Sequence, residues 1–237
     1  SLCTTCREYP RHTEEFENLR EITLSLSCPE VAKIVMNTTE PITFVTKEDE
    51  TDECYEEFDY FLFSELEDVR EEMIRIIQDR NVNIRDRIDK ILQISVSVQR
   101  HYDAGSLISW NEFEESDRVC VENEYELFER LFLFLFEEFE ILYPQWAEVL
   151  VESRLFLFGE GKKVFEQNKE EFETWWNTSN LTPLDIVLEQ LVVYFISVYL
   201  LGAVYDENIL GKVDACIGHT IEIYLLLLGR WLKHGEL

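Results

Sequence analysis

Apolar residues recur at every third or fourth position through most of this chain, and that spacing constrains the fold more than any other feature. Between Tyr55 and Arg80 they fall at Phe58, Leu62, Leu66, Val69, Met73 and Ile77, which places them on one stripe of a helix. Asn83 or Ile84 to His101 repeats the pattern with Ile88, Ile91, Leu92 and Val98. Glu122 to Leu142 does so with Tyr125, Phe128, Leu131, Phe132, Leu135 and Phe139. Pro144 opens a further helix that runs past Trp146, Val149, Leu150 and Leu155 to a turn at Gly159–Gly161. The more polar stretch from Lys162 to Trp176 is expected on the surface. Thr182-Pro183 signals the start of a helix reaching Val204, and Glu207 to Lys233 forms the last one. The expectation is a mainly α fold of six or seven helices packed as an irregular bundle.

The first 53 residues have a different texture. Ile22, Leu24 and Leu26 alternate with Thr23, Ser25 and Ser27, the pattern of a short strand with one buried face. Cys28-Pro29 precedes a helix whose inner face carries Val31, Ile34 and Val35, and a second extended piece is expected at Ile42–Thr46. Lys47 to Glu53 reads as a charged linker. The chain thus divides into a small cysteine-bearing lobe at 1–53, with one or two short strands, and a helical domain at 54–237.

A net charge of −28, from 49 acids against 21 bases, argues against nucleic acid and anionic membrane surfaces, because phosphate binding needs a basic footprint. The longest uncharged run, Gln190 to Tyr205, has 16 residues, short of the roughly 20 that span a bilayer. It reads as a buried core helix. The chain contains neither a G-x-G-x-x-G nor a phosphate-loop motif, so a dinucleotide fold is not supported. With so many acids, no carboxylate pair stands out for acid–base work, and the aromatic clusters at Trp175-Trp176 and 128–139 read as core.

Chemistry concentrates at one end. Cys3 and Cys6 are separated by two residues, and Cys28 follows in the same lobe. Three readings fit: thiolate ligands of a metal or cluster, half-buried free thiols in a reducing cell, or a Cys3–Cys6 disulfide. His12 is a candidate nitrogen ligand beside them. Cys216 and His219, three apart on one helix, have a chelating spacing but no further ligand in view, and Cys54 and Cys120 read as structural.

The runs C-T-T-C-R-E-Y-P-R at Cys3–Arg11 and R-E-I-T-L-S-L-S-C-P-E-V-A at Arg20–Ala32 resemble the central part of the flagellin lysine-N-methylase family. Members of that family carry further cysteines upstream, in an iron–sulfur cluster region, and use S-adenosylmethionine to methylate lysines of flagellin. The resemblance implies a cytoplasmic protein-lysine N-methyltransferase with flagellin as protein substrate. It implies Cys3, Cys6 and Cys28 as cluster ligands. Tyr9 and Arg11 are implied beside the cofactor, where the guanidinium would take the methionine carboxylate in bidentate fashion. The competing reading of Arg11 is a turn residue paired with Glu8, Glu14 or Glu15. The chain begins at Ser1 and lacks the upstream cysteines, so the expectation is a C-terminal piece that is inactive alone. A different class of reading is a non-catalytic acidic helical interaction module with a structural zinc site at the cysteine corner.

Overall fold

In the computed structural model, which describes residues 8–16, 19–48, 59–106, 123–141 and 143–236, two strands precede a succession of helices. Strands β1 (Arg11–Phe16) and β2 (Leu19–Leu24) form an antiparallel hairpin. The register sets Phe16 opposite Leu19 and Arg11 opposite Leu24. Phe16 is buried against Phe63, with ring centroids 5.2 Å apart, and thereby decides which face of the hairpin turns inward. Side chains alternate across a strand, so Leu19, Glu21 and Thr23 follow Phe16 inward while Ile22 and Leu24 point outward, 61% and 44% exposed. The expected alternation is present, yet the strand ends at Leu24, and Ile22 and Leu24 occupy the outer face. Leu26 lies beyond the strand and packs against the core.

Helix α1 (Pro29–Asn37) opens with Pro29 in its first turn. Its buried residue is Val31, whereas Ile34 is 63% exposed, which corrects the expected inner face. Residues 42–46 form no strand. The Ile42 backbone instead pairs with the Gln78 side chain, its amide donating to Oε1 at 2.6 Å and its carbonyl accepting from Nε2 at 3.3 Å.

The helices that follow are α2 (Tyr60–Ile77), α3 (Ile84–Asp103), α4 (Glu124–Glu137), α5 (Pro144–Phe158), α6 (Lys162–Thr178), α7 (Leu184–Tyr199), the short α8 (Ala203–Asp206) and α9 (Ile209–His234). Their starts are chemically marked. Asp59 accepts from the Phe61 and Leu62 amides, Asn83 from the Asp86 amide and Asn208 from the Gly211 amide, each satisfying an amide that has no partner within the helix. Along α2 the stripe lands as the spacing requires: Leu66, Val69, Met73 and Ile77 are fully buried. Phe58 lies outside the described residues.

Helix α9 is the axis of the body, packing on α3, α4, α5 and α7. At Gly229 it meets α5 so closely that an added Cβ would sit 3.0 Å from the Ser153 Cβ. Three expected boundaries shift. Helix α4 stops at Glu137, so Phe139 lies past its end. The helix from Pro183 gives way after Tyr199 to a 3-10 turn at Leu200–Gly202, and Glu207, at φ 59°, breaks the chain before α9. Helix α6 is polar outside but buries Phe165, Phe172 and Trp176, and is therefore amphipathic rather than merely superficial. Trp176 donates its indole N–H to the Thr182 carbonyl at 2.7 Å, in keeping with the core reading of that pair.

Leu184–Asp206 and Ile209–His234 are long and apolar enough, by length and composition alone, to cross a bilayer. Within this fold most of the first is buried, and it carries the fully buried Glu189. That carboxylate accepts from Arg80 Nη2 at 2.7 Å and from Arg87 Nη1 at 2.7 Å.

Candidate functional site

The sequence pointed to the cysteine corner, and the structure places part of it. Cys3, Cys6, Cys54 and Cys120 lie outside the described residues. Cys28 is a half-buried free thiol at the N-cap of α1, where its carbonyl accepts from the Ala32 amide at 3.0 Å and its side chain makes no capping bond. A serine knot holds it in place. The Cys28 amide donates to the Ser25 carbonyl at 3.1 Å, the Ser25 and Ser27 hydroxyls are 2.8 Å apart, and Ser27 Oγ donates to the Tyr9 hydroxyl at 3.5 Å. The Ser25 amide donates to the Pro10 carbonyl at 2.8 Å. Tyr9 and Pro10 are thereby brought beside the turn that leads into Cys28.

Arg11 stands on the outer face of β1, exposed, in line with Thr13 across from Ile22. Two of its possible carboxylate partners are engaged elsewhere: Glu15 takes Arg20 at 2.6 Å and Glu14 takes His12 Nε2 at 2.8 Å. Among the described residues no ion pair reaches Arg11. His12, considered as a metal ligand, is turned to Glu14. Among the described residues no three His, Cys, Asp or Glu side chains gather as a metal site. The Cys216–His219 spacing does not form a chelate, because Cys216 is buried and His219 turns to Glu222, its Nδ1 2.9 Å from Oε2. Burial pushes the Cys216 thiol up to about 12, which makes it a protonated core residue.

The corner is coupled to the helical body through α7. The Leu26 amide donates to the Tyr194 hydroxyl at 3.2 Å, and burial raises the pKa of that phenol. Tyr194 meets Phe195 edge-on at 5.4 Å, and Phe195 contacts the His219 ring at 5.7 Å. A second clamp comes from α2, where Arg70 donates to both oxygens of Glu21 at 2.6 and 2.9 Å and to the Ser197 carbonyl at 3.3 Å. Sequence reading missed the His219–Glu222 pair as such. One usable signal was present: both lie at i, i+3 on α9 beside Ile223 and Leu226, an otherwise apolar face.

Residues 70–237 match the family model described as the FliB lysine N-methylase C-terminal domain. That stretch runs from the middle of α2 through α9. No curated protein and no solved structure matches the chain.

Proposed function

The chain belongs to the FliB lysine N-methylase family through its C-terminal domain, and from that premise we propose that it serves N-methylation of lysine side chains on flagellin, with S-adenosylmethionine as methyl donor and an iron–sulfur cluster at the cysteine corner. The single observation that carries this reading is the family match across residues 70–237. The free thiols Cys28 and Cys216 accord with a reducing compartment, and we place the protein in the cytoplasm.

The residues at the corner fit such a group chemically. Cys28 offers a thiol tied up in neither a cap bond nor a disulfide; with Cys3 and Cys6 it would supply three thiolates, one fewer than a four-cysteine cluster uses. Arg11, without an ion pair among the described residues, is suited to take a carboxylate in bidentate fashion, and Tyr9 holds its hydroxyl against Ser27, next to Cys28. When bound, the cofactor supplies an electrophilic methyl group on sulfur. The protein's part is to orient a lysine toward it, to exclude water and to relieve the lysine of its proton.

The test is anaerobic purification of the protein followed by iron and acid-labile sulfide analysis. Cys3→Ser or Cys28→Ser should lower both, and Arg11→Ala should weaken S-adenosylmethionine binding about 10- to 100-fold, the equivalent of about 1.5–3 kcal/mol for a charged hydrogen-bonded contact. Undiminished iron in the two cysteine variants would remove those residues from the site. A colourless protein holding zinc would favour a structural metal knuckle instead.

A further inference from the structure

Strand β1 has an open edge and, over residues 11–13, two open faces. The Ser25 amide donates to the Pro10 carbonyl at 2.8 Å, and directly opposed residues of an antiparallel pair alternate between exchanging both backbone bonds and exchanging none. His12, Glu14 and Phe16 therefore turn their backbone groups to β2, while those of Arg11, Thr13 and Glu15 point away from it. Arg11, His12 and Thr13 are all exposed, so side chains on both faces of that stretch meet solvent. The helical body holds β2, through Arg70 on Glu21 and Tyr194 on the Leu26 amide, and meets β1 at Phe16. A hairpin of two strands is marginal by itself, and a free strand edge is a template for a further strand.

Which strand fits is decided by the charges. Charged side chains on an edge ordinarily keep other strands away, and a net charge of −28 sets two copies of this chain against each other. The order along β1 works differently. It reads Arg11-His12-Thr13-Glu14-Glu15, with basic side chains before Thr13 and acids at matching distances after it. A second copy turned about a two-fold axis through Thr13, perpendicular to the sheet, runs antiparallel to the first. Arg11 then stands opposite Glu15 of the partner subunit, His12 opposite the partner's Glu14, and Thr13 opposite the partner's Thr13. Arg11, Thr13 and Glu15 are also the residues whose backbone groups point outward, so each exchanges an amide and a carbonyl bond across the axis. Moving the axis to His12 or Glu14 sets His12 on His12 or Glu14 on Glu14 and takes Arg11 away from Glu15. An unrelated basic or acidic segment matches only one half of this order. Repulsion between the bodies is screened beyond about 8 Å at physiological ionic strength, whereas directly opposed residues bring their Cβ atoms to about 4.5–5.5 Å.

We propose that β1 is the interface of a symmetric dimer, in which two hairpins join edge to edge as one antiparallel sheet in the order β2–β1–β1–β2. The partner's Glu15 supplies the counter-ion that Arg11 lacks among the described residues. Arg20 takes Oε1 of Glu15 at 2.6 Å, and a carboxylate has lone pairs for further donors. A guanidinium in turn carries donors on two edges, so the partner's Glu15 on one leaves the other for a cofactor carboxylate. The second copy thus contributes a residue to the corner and orients its arginine. Pairing over so short a strand buries less than the roughly 1,200 Å² of a standard interface, which makes the dimer weak, with a Kd of about 1–100 µM. The dimer follows from the strand alone and stands apart from the methylase reading.

The test is sedimentation equilibrium at protein concentrations bracketing that Kd, where a reversible monomer–dimer equilibrium is expected. Thr13→Pro removes an outward amide but none that β2 uses, so the hairpin should persist while the dimer is lost. Arg11→Glu and Glu15→Arg each oppose like charges across the axis and should weaken self-association about tenfold or more. A mixture of those two variants restores every cross-strand charge pair and should associate with near wild-type affinity. Should Thr13→Pro prove misfolded by near-ultraviolet circular dichroism, the charge variants carry the test by themselves. A protein that stays monomeric throughout overturns the proposal. So does a dimer that a folded Thr13→Pro leaves intact, which would put the contact on another face. A mixture that associates no better than its two components refutes the register centred on Thr13, and the proposal with it.

Discussion

Replacing Glu189 with alanine should be among the most destabilising single changes in this chain, and the structure says why. Glu189 is fully buried, and Arg87 beside it is 4% exposed, donating both to the Glu189 carboxylate and to the Ile77 carbonyl. Arg80 completes the triad with 34% of its side chain in contact with water, and its hydrogen bonds to Glu189 raise its pKa further. Once the carboxylate is removed, Arg80 can turn to solvent. Arg87 cannot, and its charge stays buried without a counter-ion. The cost therefore falls mainly on Arg87 and is about 3–5 kcal/mol, the range for breaking a buried pair from one side. At about 2–4 °C per kcal/mol for a domain of this size, the melting temperature should fall by about 6–20 °C. Urea unfolding followed by tryptophan fluorescence gives the free energy and calorimetry gives the temperature. The double variant Glu189→Met with Arg87→Met should recover most of the loss, since apolar groups of similar volume leave no charge stranded. A loss below about 1 kcal/mol in Glu189→Ala would refute the view that this triad is a buried charge cluster.

Arg70→Ala should release the hairpin: it removes the two bonds to Glu21 and the bond to Ser197, so the β1 and β2 amides should exchange hydrogen faster while the α9 amides do not. Alkylation at pH 8 should modify Cys28 and spare Cys216 in the folded protein, because burial holds the Cys216 thiol protonated up to about 12; mass spectrometry showing equal labelling would contradict that. The same raised pKa makes the Cys216 contribution to stability complete below its ordinary 9.0, with progressive loss as the pH climbs through about 12, so Cys216→Ala should flatten the alkaline limb of the stability profile. Gly229→Ala should cost about 1–3 kcal/mol by forcing α5 and α9 apart at Ser153, measurable as a lower urea midpoint.

The helices were legible in the sequence because burying one face of a helix imposes a period of three to four, and Leu66, Val69, Met73 and Ile77 obey it. Proline and asparagine marked starts at Pro144 and Asn83 for an equally local reason: they preset a dihedral or satisfy a free amide. Cys28 at the start of α1 stands where the Cys-Pro pair put it. Arg11–Phe16 was not legible as a strand, since R-H-T-E-E-F has no apolar alternation and gains its pairing only from β2. Alternation in β2 fixed a period of two but not which face turns inward; Phe16 against Phe63 and Arg70 on Glu21 decided that. Nor could the sequence single out Glu222 among 49 acids. Its distinction comes from α4 and α5 closing over α9, which brings Leu135, Phe139 and Trp146 to it across many intervening residues. Local patterns determine elements because their energetics act within a few residues, whereas a buried carboxylate acquires its meaning from whatever distant side chains exclude water from it.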